Sequence, residues 1–221
     1  MVEASAVMRT LLYLGAHQGE GLSRLVTSFE RVIAFEANPE HCDVLASRFS
    51  TIQLVRAAVC EHDGEVAFNV SSNGGASSSL GSFDETWLAP RTDGIRMTRT
   101  MTVPGVNLLR FCRDNGVDGI DFYVSDLQGM DLTVLRTMEP LLREGRIELI
   151  QCETTNDGQH NIYKDLPSNE LGEFQRLLEP HGYSMVGKGW GALQKGVFSD
   201  VPEDWWEFDS LWEHRSGRGH G

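Results

Sequence analysis

Gly15, Gly19 and Gly21 follow a short apolar run, and Glu36 closes the next apolar run about twenty residues after Gly15. A strand, a glycine-rich turn, a helix and a second strand ending in a carboxylate form a unit able to hold a nucleoside. The turn brings backbone close to the ligand, while the carboxylate accepts hydrogen bonds from ribose hydroxyls. The order of glycines is G-x-x-x-G-x-G, not the G-x-G-x-x-G of a pyrophosphate cradle, and Glu20 stands where a helix would start. A carboxylate there suits the positive end of a helix but repels pyrophosphate. A nucleoside without phosphate fits better, and S-adenosylmethionine is the common example.

A second set of chemical groups sits at the ends of later apolar runs. Asp126 ends one and precedes Gly129, and Glu153 ends another. In a doubly wound sheet, Gly15, Glu36, Asp126 and Glu153 would all face one crevice beyond the carboxyl ends of the strands. Asp126 reads as a catalytic acid or base, or alternatively as a helix cap. His160, in the loop after Glu153, is the best-placed histidine for a general base, against the reading of a polar surface loop. Asp126, Glu153 and Asp157 together offer hard oxygen donors of the kind magnesium takes.

The elements needed to position these groups are legible in outline. Strands are expected over 11–14, 32–36, 52–59, 120–125 and 147–153, and helices over 20–29, 39–49, 106–115, 129–143 and 168–181. Asn38-Pro39 gives the second helix a cap and a first-turn proline. Alternation of the two element types favours an α/β sheet of mainly parallel strands. Residues 64–104 interrupt it with an expected hairpin at 65–71 and a Gly/Ser-rich loop suited to a lid. Beyond Gly182, 183–186 and 193–198 read as an antiparallel hairpin. The tryptophan-rich segment 204–212 follows, with packing against the sheet as its first role and a substrate wall as its second. The expected organisation is a single domain over 1–215 and a disordered tail over 216–221.

Composition narrows the partners. The 221 residues carry a formal net charge of -13, with no basic stripe to track a phosphate backbone. Nucleic acid and membrane surfaces are therefore excluded as expected partners. Cys42, Cys60, Cys112 and Cys152 are scattered in apolar contexts and form no C-x-x-C pair. No apolar stretch reaches spanning length, so a cytoplasmic protein is expected. Oligomeric state is not readable.

Several segments taken in order resemble the FkbM family of S-adenosylmethionine-dependent methyltransferases. They are Leu14-Gly-Ala-His-Gln-Gly-Glu20, Ala34-Phe-Glu-Ala-Asn-Pro-Glu40, Ala57-Ala-Val59 with Asp63-Gly64, Ser78-Ser79-Leu80, and Ile120-Asp-Phe-Tyr-Val-Ser-Asp126-Leu-Gln-Gly129-Met-Asp-Leu-Thr-Val-Leu135. The similarity spans roughly 11–155. It implies a Rossmann-like class I methyltransferase sheet, mainly parallel with a C-terminal antiparallel hairpin. It also implies S-adenosylmethionine held by Gly15, His17, Gly19, Glu36 and Ala58, and O-methylation of a small-molecule or sugar-containing acceptor. The chain departs from the family pattern at Tyr13, where an acid that helps hold the amino-acid end of the cofactor is usual. Further departures are His17 for Asn, Ala37 for Pro, Val124 for Lys and Gln128 for Glu. An NAD-dependent oxidoreductase and a non-catalytic cofactor-binding module are the competing readings.

Overall fold

The computed structural model describes residues 9–159, 161–191, 193–202 and 206–215. His160 and the tail 216–221 lie outside them. In chain order the elements are β1 (Thr10–Leu14), β2 (Arg31–Glu36), α1 (Pro39–Arg48), β3 (Gln53–Arg56), β4 (Ala58–Cys60), β5 (Gly64–Ser71), β6 (Ser82–Phe83), α2 (Glu85–Leu88), β7 (Met97–Asn107), α3 (Leu108–Asp114), β8 (Ile120–Ser125), α4 (Asp131–Thr137), α5 (Glu139–Arg143), β9 (Ile147–Thr155), β10 (Tyr163–Lys164), α6 (Leu171–Leu178), β11 (Tyr183–Gly189) and β12 (Glu207–His214).

The near-continuous apolar runs of β1, β2 and β8 become central strands buried on both faces, as a parallel sheet requires. Seven strands pair in the order β11-β12-β9-β8-β1-β2-β3. The pairs from β9 to β3 are parallel, and β12 runs antiparallel between β9 and β11. This is the α/β, mainly parallel sheet with a C-terminal antiparallel hairpin expected from the sequence. One apolar layer holds Leu12, Leu14, Ile33, Phe35, Tyr123 and the buried sides of α3 to α6. The other packs Leu11, Val32, Ala34, Phe122 and Val124 against Leu22 and Leu45.

Four expectations are corrected. No α-helix forms over 20–29; two short 3₁₀ turns, Leu22–Arg24 and Val26–Ser28, stand there. Gly21, Val26 and Thr27 are poor helix formers, and the Ser23 hydroxyl donates to the Glu20 carbonyl in competition with the ladder. The run 52–59 splits into β3 and β4, which join different sheets. The strand expected at 65–71 closes no tight hairpin: it pairs with β7 across the whole 72–96 connection, in a small sheet ordered β4-β7-β5. Finally, the antiparallel partner of β11 is β12 in the tryptophan-rich segment, while 193–198 meets β11 only through an isolated parallel bridge, Lys188 to Phe198, and a few backbone hydrogen bonds. Trp212 there is fully buried, which gives it the packing role.

The sheet sets the site through β1, the strand at which chain order reverses between β2 and β8. The turn after β1 crosses the end of β8 so closely that a Cβ on Gly15, at φ +77°, would lie 2.0 Å from the Asp126 carbonyl oxygen. Gly15→Ala is therefore expected to cost about 2–4 kcal/mol, from a positive φ and a backbone clash combined. A lowered urea midpoint at constant m-value is the check; an unchanged midpoint would show that the turn relaxes freely.

Candidate active site

Glu36 ends β2 with its side chain turned inward, 7% exposed. Its carboxylate accepts from the backbone N–H of His17 at 2.8 Å and of Asn38 at 2.7 Å. A carboxylate has about four lone-pair sites; two serve these N–H groups, His41 lies beside one oxygen, and the remainder can accept from a ligand hydroxyl. Glu36 lines a cavity with Gly15, His17, Ala58, Phe68 and Asp126. Ala58, at the start of β4, packs with Phe68, Leu80 and Ala37 into an apolar slot suited to a flat base. The cavity measures only about 70 Å³, because Gly75, Ala76 and Ser78 of the Gly/Ser-rich loop fold over it.

His17 and Gly19 take positions that the sequence did not show. His17 adopts φ +48° and points its Nε2 at the Gly74 carbonyl, 3.2 Å away. Its ring meets that of His41 edge-on, with centroids 4.2 Å apart. Gly19 lies outside the cavity lining, and a Cβ there would meet the Phe49 ring at 2.4 Å. The absence of a side chain there lets Phe49 and Leu45 pack against the turn.

His41 is a member of the site that sequence reasoning missed. It is buried in α1, with Nδ1 3.8 Å from a Glu36 oxygen and Nε2 3.1 Å from the Gly74 carbonyl. The Glu36 carboxylate beside it pushes its pKa upward, and burial opposes that only in part. The available signal was a polar residue on the helix face that also carries buried Cys42 and Leu45.

Asp126 follows β8 and is the common wall of three cavities. Solvent reaches its carboxylate through them, yet protein surrounds it closely, and this burial raises its pKa above the ordinary carboxylate range. The Gln128 amide donates to Asp126 and to Glu153, the latter at 3.0 Å and 3.2 Å, while its carbonyl accepts from the Tyr163 hydroxyl. A Gln at this position clamps two acids that a Glu would repel. The second cavity, of about 430 Å³, is lined by Trp87, Trp190 and Trp206 with Glu153, Glu207 and Asp209. The last two arrive because β12 is antiparallel: its first residues register with the last of β9, Glu207 with Thr155 and Asp209 with Glu153. Burial, followed by the charge of Asp126, pushes Glu207 up to about 8 and Asp209 up to about 7.

The expected magnesium site is corrected. Asp126 and Glu153 do come together, but the Gln128 amide occupies the space between their oxygens. Asp157 instead accepts from the Gly172 N–H at 2.8 Å, in the first turn of α6. Among the described residues no three His, Cys, Asp or Glu side chains group as metal ligands.

The donor set fits a nucleoside. An inward carboxylate sits beside an apolar slot, next to a turn that tolerates no side chain at Gly15. S-adenosylmethionine would place its ribose at Glu36 and its base against Ala58, and would supply an electrophilic methyl group when bound.

Comparison with known proteins agrees with this reading. No curated protein matches the chain. Among solved structures, a TehB-like SAM-dependent methyltransferase from Corynebacterium glutamicum shares 11% identity, with 96% of this chain and 83% of that one covered and a TM-score of 0.44. A SAM-dependent methyltransferase from Clostridium acetobutylicum shares 9%, covering 94% and 85%, with a TM-score of 0.46. Magnesium protoporphyrin IX methyltransferase from Synechocystis, with SAM bound, shares 5%, covering 94% and 70%, with a TM-score of 0.45. The model of the methyltransferase FkbM domain matches residues 14–185, well over half of the sequence, and the chain belongs to that family of S-adenosylmethionine-dependent methyltransferases.

Proposed function

We propose that the protein transfers the methyl group of S-adenosylmethionine to a hydroxyl oxygen of a small, sugar-containing or otherwise hydroxyl-rich acceptor. The observation that carries this reading is the position of Asp126, which walls both the Glu36 cavity and the tryptophan-lined cleft. Methyl transfer is an in-line displacement, so the protein must align two reactants, exclude water and remove the acceptor's proton. Asp126 stands where the two reactants meet and takes the hydroxyl proton. Gln128 orients it by holding one carboxylate oxygen and leaving the other free. The faces of Trp190 and Trp206 give a ring something flat to lie against, and Glu153 and Glu207 accept from its remaining hydroxyls.

The net charge of -13 disfavours nucleic acid and anionic lipid as acceptors. Four free, buried cysteines suit a reducing compartment, which supports a cytoplasmic location in this reading. No helix among the described residues is long and apolar enough to cross a membrane.

The test is transfer of labelled methyl to a panel of glycosides and their deoxy analogues, with the product located by NMR. The reading expects an O-methyl product that disappears when one particular hydroxyl is removed. Methyl found on nitrogen, or no transfer to any hydroxyl by protein that binds the cofactor, would contradict it.

A further inference from the structure

Tyr163, on β10, is buried with its ring confined on three sides. It pairs across the small β6–β10 sheet with Phe83, and the two rings stack with centroids 5.5 Å apart. A Cβ on Gly129 would lie 2.9 Å from the Tyr163 ring, and one on Gly81 would lie 2.9 Å from the Tyr163 Cβ. The ring therefore rests on the backbone of the turn after Asp126, where Gly129, at φ +97°, leaves the room. A ring held in this way gives its hydroxyl one place to be.

That place is the carbonyl end of the Gln128 amide. The Tyr163 hydroxyl donates to Gln128 Oε1 at 2.5 Å, and the Ser77 carbonyl, at 3.4 Å, is a distant second acceptor for the same proton. The backbone of Gln128 is held as well: it adopts φ +51°, and its carbonyl accepts from the Ser79 hydroxyl at 2.7 Å. The two ends of an amide are nearly identical in shape, and hydrogen bonding decides which way it lies. Here the nitrogen end donates to Asp126 and to Glu153. Turned over, the amide would present its oxygen to two carboxyl groups and leave the Tyr163 proton facing an N–H. Burial pushes the Tyr163 pKa well above the usual phenol range, so the hydroxyl stays a donor.

Resting on the methyltransferase reading above, we infer that Tyr163 is a positioning residue for methyl transfer: its hydroxyl locks the Gln128 amide in the orientation that turns both N–H groups toward Asp126 and Glu153. The consequence is electrostatic. Asp126 is faced by Glu36 of β2, Glu153 of β9, Glu207 and Asp209 of β12 and Asp131 of α4, acids that oppose its ionisation. The Tyr13 phenol of β1 also faces it, and His17 of the first turn acts in the opposite sense to the acids. An N–H donor aimed at the Asp126 oxygen favours the anion without adding a competing charge. The family's usual Glu at 128 could accept the Tyr163 proton but would offer the acids no N–H. Tyr163 and Gln128 work as a pair.

The test reads the Asp126 carboxyl directly, by ¹³C NMR titration of the labelled whole chain, with its resonance assigned by absence from Asp126→Asn. Tyr163→Phe keeps the ring and its packing and removes only the hydroxyl. Its Asp126 midpoint is expected to move up by about half a pH unit or more, and the rising limb of kcat, measured on a glycoside of the panel above, to move with it. Gln128→Met is expected to move the midpoint up by about one unit or more. Adding Tyr163→Phe to Gln128→Met should move it no further, because the hydroxyl acts only through the amide. An unchanged midpoint in Tyr163→Phe would overturn the inference, even with a lowered Tm, which marks a purely structural hydroxyl. An equal shift on adding Tyr163→Phe to Gln128→Met would overturn it too. The titration needs no acceptor, so its failure is read separately from failure of the methyltransferase reading, which shows as no transfer to any acceptor by the wild-type protein.

Discussion

Asp126→Asn is expected to leave a folded protein whose kcat for methyl transfer has fallen by about 10²- to 10⁴-fold, the usual contribution of a positioned general base. Asn preserves shape and still accepts from the Gln128 amide, but it cannot take a proton. Folding should not suffer, because the substitution removes one of several carboxylates that raise one another's pKa. The pH profile separates this role from simple positioning. Burial pushes Asp126 above the ordinary carboxylate range, so wild-type kcat should climb with pH as the carboxyl ionises. That limb should be missing from the variant. A kcat within about threefold of wild type would assign the proton to another acceptor.

The same carboxyls make stability depend on pH in the direction opposite to that of most proteins. Asp131 is fully buried and pushed up to about 7, chiefly by burial and then by Asp126, although it accepts from the Leu127 N–H and the Asn169 amide. Glu207 rises to about 8 and Asp209 to about 7. In the unfolded chain all three ionise near pH 4. Between that pH and about 8 the folded protein therefore binds more protons than the unfolded chain, and the slope of unfolding free energy against pH is negative. The contribution is complete below pH 4 and is lost as pH rises through the folded values. Treated as one coupled set, these groups should lower stability by about 2–4 kcal/mol between pH 5 and pH 8.5. For a chain of this size the corresponding fall in Tm is roughly 5–10 °C. Thermal scans in matched buffers measure it, and a Tm constant or rising over that range would mean the acids are ionised and individually compensated.

The sequence disclosed the parts of this protein that physics writes in short stretches. Apolar runs with no room for polar alternation announced β1, β2, β8 and β9, and the residues at their ends, Glu36, Asp126 and Glu153, follow from the rule that ligands gather there. The Asn38-Pro39 cap was equally plain: the Asn38 side chain accepts from the Glu40 N–H at 3.1 Å. What stayed hidden depends on distance along the chain. Glu207 and Asp209 reach the cleft only because β12 inserts antiparallel beside β9, a pairing that no local pattern near residue 207 reveals. Gln128 reads as a lost acid until its amide is seen between two carboxylates. Tyr13 and Val124 read as two separate departures until the register makes them neighbours. The expected helix over 20–29 failed for the opposite reason: its glycines and β-branched residues were visible, but the βαβ template outweighed them.

The account rests on Glu36 gripping the ribose of the cofactor beneath the Gly/Ser-rich loop, and a calorimetric titration of S-adenosylhomocysteine into wild-type and Glu36→Ala protein tests that most directly. Loss of the charge-assisted hydrogen bonding to the ribose should weaken binding by about tenfold or more, with the fold intact by circular dichroism. Equal affinity in the two proteins would contradict it.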